Sequence, residues 1–293
     1  MKSLASILLV LATAGTASAQ DEVNRRIGID AHAYIKVYLL EGSVRVVGWD
    51  RDSLAVSGTV ATGRLFFGGA GKSAKLGVWD DNLESGSADL EVRVPATSTI
   101  WIKSHEADVS VSGVTGGVDA YSVTGDVRVA GTLRHLYAES MGGAIEITAS
   151  APSVRAKTAG GWITFRGSGD DLTLSTVAGT IDAAARRNPL RARIETVTGD
   201  IRFAGGVQPG GALAFQTHSG AVDIQLPGDL GAEVAVATIE GEIANGLRVA
   251  AGGERDLRGR ELSFLTGEGG AQVTVRTFSG DVTLSASEIA IER

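Results

Sequence analysis

The sequence predicts an all-β chain, a single-chain β-solenoid of parallel stacked turns of 18–21 residues with an irregular strand-rich N-terminal cap. Three observations carry this. A small residue recurs at a near-constant period, apolar residues flank it at offsets of two, and a hydroxyl stands three positions before it in every unit. Offsets of two on both flanks define short β-strands with one buried face, and the small residue between them marks a tight corner.

The recurring residue is Ala107, Gly125, Gly143, Gly161, Gly179, Gly199, Gly220, Gly241 and Gly280, at steps of 18, 18, 18, 18, 20, 21, 21 and 39 residues, the last close to two units. The hydroxyl column is Ser104, Ser122, Ser140, Thr158, Thr176, Thr196, Thr217, Thr238 and Thr277. Apolar or small residues precede the corner by seven and five, as in Ile100 and Ile102, Val118 and Ala120, Leu136 and Ala138, Leu172 and Leu174, and Leu213 and Phe215. Two positions after the corner stand Val109, Val127, Ile145, Ile163, Ile181, Ile201, Val222, Ile243 and Val282. Intervening positions are polar or small, for example Asp126 and Arg128 or Asp200 and Arg202, as half-solvated strands require. Stacking at about 4.8 Å turns each offset into a ladder of like side chains, which explains why every unit repeats the same choices at the same depth. A long antiparallel meander gives a similar period and is the structural alternative. A propeller needs about twice this period, and a sandwich has no reason to hold hydroxyl and glycine in register.

From the start of the chain, Met1 and Lys2, the apolar run Leu4 to Ala14 and the small residues Ala17-Ser18-Ala19 have the layout of a secretory signal peptide over 1–19. Residues 20–95 form the cap region, in which Ile35, Val37, Gly42, Val44 and Val46 fit the repeat offsets once. Residues 96–285 form the repeat domain. Its period lapses over about 245–270, which predicts a loop or bulge on the side of the stack, followed by a last turn. Residues 286–293 are a C-terminal tail.

Composition narrows the function classes. The chain has 40 glycines, five prolines and no cysteine, so disulfides, thiolate zinc sites and lipid attachment at the cleavage site are unavailable. Net charge is −7, and −8 once Lys2 leaves with the signal, which argues against a nucleic-acid partner. After the signal, no stretch approaches the roughly 20 apolar residues of a membrane helix, so no transmembrane segment is expected in the mature chain. These features predict an exported protein that is periplasmic, cell-surface or secreted.

The run Gly42-Ser43-Val44-Arg45-Val46-Val47-Gly48-Trp49-Asp50, then Val94-Pro95-Ala96, then the Ser/Thr-x-x-Gly-Asp-Val/Ile units at Ser122 to Val127, Thr196 to Ile201 and Thr277 to Val282 resemble a known family. It is the bacterial β-strand-repeat domain of unknown function labelled "putative adhesin". The resemblance spans nearly all of the mature chain. It implies a solenoid-like fold on exported or membrane-tethered envelope proteins, with roles in adhesion or envelope-stress signalling, and it carries no catalytic residues. This chain lacks the membrane segment that some relatives carry, which argues against direct signalling across a membrane.

A search for chemistry returns little. Gly71-Lys72-Ser73 ends like a phosphate-binding loop, but Phe66 stands where that motif needs its first glycine, so a polar hairpin turn is expected. His32, His105, His135 and His218 show no metal spacing, and the His218-Ser219 pair sits in a corner without a strand-turn-helix elbow. The acidic pairs Asp50/Asp52, Asp80/Asp81 and Asp170/Asp171 read as turn residues. Asp108, Asp126, Asp200 and Asp281 follow corners but skip turns, unlike a calcium-binding repeat. No catalytic residue, metal site or cofactor is therefore expected.

Two outward features stand out. Trp101, Tyr121 and Tyr137 lie on the same strand of three successive turns and point away from the core, so they are the candidate binding residues. The alternatives are that the cap covers them or that they merely fill a ladder. The second feature is the mixed-charge column of Arg128, Glu146, Asp182, Arg202 and Asp223, read as register and solubility. The function expected from these residues is a non-enzymatic envelope or surface module that binds or scaffolds an envelope polymer or a protein partner. Alternatives are an envelope-stress or assembly sensor working through a membrane partner, and a polysaccharide-acting enzyme, which needs paired carboxylates in a cleft.

Overall fold

The computed structural model describes residues 21–82, 85–250, 255–256 and 260–287. The signal peptide predicted over 1–19 and residues 288–293 of the predicted tail lie outside the described residues.

Every described element is a strand. The cap region holds β1 (Asp21–Gly28), β2 (Tyr34–Leu39), β3 (Glu41–Trp49), β4 (Ser53–Thr62), β5 (Arg64–Ala70), β6 (Ser73–Trp79) and β7 (Ser87–Pro95). The regular turns follow with β8 (Thr99–Ser104), β9 (Asp108–Ser112), β10 (Gly117–Ser122), β11 (Val127–Thr132), β12 (His135–Ser140), β13 (Ile145–Ser150), β14 (Ser153–Thr158) and β15 (Ile163–Gly167). They continue with β16 (Asp171–Ser175), β17 (Ile181–Ala185), β18 (Arg191–Glu195), β19 (Ile201–Ala204), β20 (Ala212–Gln216) and β21 (Val222–Pro227). The chain closes with β22 (Ala232–Ala237), β23 (Ile243–Asn245), β24 (Arg255–Asp256), β25 (Glu261–Thr266), β26 (Ala271–Arg276) and β27 (Val282–Ser287).

Each turn places its first strand in one sheet and its second in another, and the inner faces of the two sheets enclose the core. Sheet I has 13 strands in the order β1-β4-β7-β3-β9-β11-β13-β15-β17-β19-β21-β27-β23. Sheet II has 14, in the order β5-β6-β2-β8-β10-β12-β14-β16-β18-β20-β26-β22-β25-β24. Within the stack the strands pair in parallel, which decides for the solenoid over the meander. Val127, Ile145, Ile163, Ile181, Ile201, Val222 and Val282 are aligned residue to residue as one continuous internal row. All seven are fully buried. The widest core positions are filled by Phe165, Phe203 and Phe215, the last two in ring contact at 5.2 Å.

The corner explains the two most regular columns. A Cβ on Gly161 would lie 2.1 Å from the carbonyl oxygen of Gly143, and one on Gly143 would lie 2.2 Å from that of Gly125. Glycine recurs because the backbone of the previous turn occupies the space. The buried hydroxyls bridge the layers. Thr158 Oγ1 donates to the Gly143 carbonyl at 3.0 Å and accepts from the Gly161 N–H at 3.1 Å. Ser140, Thr176, Thr196, Thr217 and Thr238 donate to their neighbouring corner glycine in the same way. The aspartates after the corner serve the same stacking. Asp108, Asp126, Asp200 and Asp281 each accept the backbone N–H of the adjoining turn, at Asp126, Ala144, Ala221 and Glu242 respectively, over 2.9–3.0 Å.

Both ends of the stack depart from chain order. At the N-terminal end the first turn, β2 and β3, lies between β6/β7 and β8/β9, with Ile35 aligned on Ile100 and Val44 on Val109. The antiparallel strands β5, β4 and β1 then close that end. The other end repeats this arrangement. The last turn, β26 and β27, lies between β20/β21 and β22/β23.

The region of lapsed period is where expectation and structure differ. Among its described residues, β25 is a sheet strand and not part of a side loop: it pairs antiparallel with β22 and, with β24 beyond it, extends sheet II past the stack. By running back along β22, the chain becomes able to re-enter the stack one layer in. Antiparallel closure blunts edges that would otherwise offer unpaired backbone groups to another chain.

Candidate aromatic binding face

Along β2, β8 and β12 of sheet II buried residues alternate with partly or fully exposed ones, so every second side chain lies on the outer face. Trp101 on β8, Tyr121 on β10 and Tyr137 on β12 all lie on that face, half-buried. They occupy two adjoining columns and not one. Trp101 aligns with Asp119 and through it with Tyr137, whereas Tyr121 aligns with Lys103 and Glu139. The rings therefore zigzag, with centroids 5.8 Å apart from Trp101 to Tyr121 and 5.2 Å apart from Tyr121 to Tyr137.

The stripe is longer than the three residues read from the sequence. Tyr38 on β2 lies 5.3 Å from Trp101, Trp79 on β6 lies 6.3 Å from Tyr38, and Phe66 on β5 stacks on Trp79 at 5.8 Å. Six neighbouring strands thus carry one run of touching rings, Phe66, Trp79, Tyr38, Trp101, Tyr121 and Tyr137, over roughly 24 Å at strand spacing. Among the described residues of the cap, β2, β6 and β5 lie beside β8 in the same sheet and not over the aromatic residues. They extend that sheet sideways. Trp79 also lies across Gly77, where a Cβ would come within 2.3 Å of its indole.

The stripe is electrically divided. Lys75 Nζ sits 4.8 Å from the Tyr38 ring centre, 5.0 Å from Trp79 and 5.7 Å from Phe66, and Lys36 Nζ sits 5.7 Å from Tyr34. Lys103 lies between Tyr38 and Tyr121 in register. Beyond Trp101 the charge reverses, with Asp119 on β10, 3.5 Å from His135, and Glu139 on β12 accepting the Tyr137 hydroxyl. Burial, then the hydrogen bond to Glu139 and its charge, push the Tyr137 phenol up to about 12. Burial, then the charge of Asp119, raise Tyr34 and Tyr121 above the ordinary phenol value.

Elsewhere the residues weighed for chemistry have structural roles. His218 stacks on Phe278 at 4.8 Å. Gly71 and Lys72 make the two-residue turn between β5 and β6, with Gly71 at φ +53°. Asp80 accepts the Asn82 N–H and the Ser85 hydroxyl in its own loop, and Asp171 faces Arg191 at 3.5 Å. Arg128 reaches Asp126 at 2.8 Å and Glu146 at 3.6 Å, and Arg202 reaches Asp200 at 3.4 Å and Asp223 at 4.0 Å, as exposed pairs. Among the described residues, no three His, Asp or Glu side chains converge as a metal would need, and no helix is long and apolar enough to cross a membrane.

Two sheets built mainly of in-register parallel strands and joined through glycine corners define a β-solenoid of the strand-repeat class. Within it, residues 156–285 match Toastrack DUF4097, a domain of unknown function. No curated protein matches the chain. Among solved structures, the chain resembles a "putative lipid binding protein" from Parabacteroides distasonis, with a TM-score of 0.55 at 12% identity, covering 90% of this chain and 96% of that one. It also resembles a "putative adhesin" from Parabacteroides merdae, with a TM-score of 0.52 at 10% identity, covering 94% of this chain and 98% of that one. At these identities the likeness is one of fold.

Proposed function

We propose that this protein is an exported, non-enzymatic binding module of the cell envelope, and that it engages the sugar rings of an envelope polymer through the aromatic face of sheet II. The observation that carries the reading is the unbroken run from Phe66 to Tyr137 across six adjacent strands. Rings on a hydrogen-bonded sheet lose little freedom on binding, and their faces suit the apolar faces of pyranose rings. The solenoid supplies rigidity and length in place of a cleft, which fits an extended ligand better than a small one. Export is supported by the leader pattern of residues 1–19.

The test is binding to glycan arrays and to isolated cell-wall fractions by the unaltered protein and by the Tyr121→Ala/Tyr137→Ala variant. A loss of binding with unchanged circular dichroism is expected. Equal binding by both proteins would remove the aromatic face from the function.

A further inference from the structure

Resting on that reading, we infer that the polymer is acidic, and that its carboxylates are held by Lys36, Lys75 and Lys103 on the N-terminal half of the stripe. Four neighbouring strands, β5, β6, β2 and β8, carry these lysines among the rings of Phe66, Trp79, Tyr38 and Trp101. The chain as a whole is acidic, with a net charge of −7, so three lysines on three adjoining strands, with the first acidic residues of that face, Asp119 and Glu139, on the next two strands, are a local reversal. Among the described residues none of the three lysines has a carboxylate within ion-pair distance, although nine arginines and histidines elsewhere do.

Position strengthens the case. Lys36 and Lys75 are direct neighbours in register, and Lys103 lies beside Tyr38 on the next strand. Like charges so placed repel one another, and an anion laid across them relieves that repulsion. The ring faces of Tyr38 and Trp79 hold the Lys75 ammonium against the stripe, and Tyr34, on the same strand as Tyr38, holds that of Lys36, so a sugar stacked on Tyr38 or Trp101 brings its carboxylate to a charge already in place. A neutral glycan would use the rings but leave the lysines unanswered. An acidic one answers both. Asp119 and Glu139 then bound the site, because they would repel the same polymer beyond Trp101.

The experiment measures binding of the full chain to sodium polygalacturonate and to the same polymer after carboxyl reduction, at low and at high salt. The acidic polymer should bind, weaken with salt, and bind about tenfold more weakly to Lys36→Gln/Lys75→Gln/Lys103→Gln, while the triple lysine-to-arginine variant keeps its affinity. The neutral polymer should bind weakly and ignore all these changes. Asp119→Asn/Glu139→Gln should bind the acidic polymer more tightly. Equal affinity for both polymers, indifferent to the lysine variant, would overturn the acidic assignment and leave the aromatic reading standing. Binding of neither would overturn both. A thermal midpoint shared by all variants ensures that folding does not decide the outcome.

Discussion

Gly241 packs on Gly280, although 39 residues separate them in the chain, and Gly280 packs on Gly220. A Cβ on Gly241 would lie 2.2 Å from the Gly280 carbonyl oxygen, and a Cβ on Gly280 would lie 2.0 Å from that of Gly220. The last turn is therefore clamped between two earlier ones. Hydrogen exchange should show it. The amides of Val273, Val275 and Val282 should exchange at least about tenfold more slowly than those of the outer strand around Ile243. Faster exchange of β26 and β27 would mean that the chain end peels away first.

The corner columns allow a sharper test in the middle of the stack. Gly161→Ala pushes a methyl onto the Gly143 carbonyl and should cost about 1–3 kcal/mol or more in urea unfolding. Gly142→Ala is the control, since its nearest neighbour would be Thr124 Cγ2 at 3.5 Å, ordinary contact, and it should change stability by no more than about 0.5 kcal/mol. Similar losses in both would show that the corner is looser than its geometry.

Two hydroxyls of one column should behave differently. Thr158→Val keeps the shape but strands the Gly143 carbonyl and the Gly161 N–H, at a cost of about 1–3 kcal/mol. The Thr277 hydroxyl is buried with no hydrogen-bond partner, so Thr277→Val should be neutral or stabilising in the same thermal and urea measurements.

The Tyr137–Glu139 pair gives a pH signature. The Tyr137 phenol is raised from about 10 to about 12 in the folded chain, so the native state holds that proton more tightly than the unfolded one. Its contribution to stability is complete below about pH 10 and is lost as pH rises toward about 12. Ultraviolet titration should contain a phenolate component near pH 12 that vanishes in Tyr137→Phe, and the alkaline loss of stability should shrink in that variant. A Tyr137→Phe titration identical to that of the unaltered protein would refute this.

The sequence by itself determined the unit: its two strands, its glycine corner, the hydroxyl three residues before it and the row from Val127 to Val282. Those features are local, and stacking like on like makes each turn repeat them. It also placed Trp101, Tyr121 and Tyr137 on the outer face, because alternation within a strand is decided two residues at a time. Only the tertiary structure decided the order of the turns at both ends. Every turn presents the same hydrogen-bonding columns, so any turn can pair with any other, and nothing local says that β26 and β27 lie inside β22 and β23. The same ambiguity hid half of the aromatic stripe. Tyr38 fits the repeat but lies next to Trp101 only because the first turn is inserted between β6/β7 and β8/β9, and Trp79 and Phe66 come from a hairpin that lacks the glycine column. What those six rings do together depends on neighbours chosen by long-range pairing, which no short stretch of chain encodes.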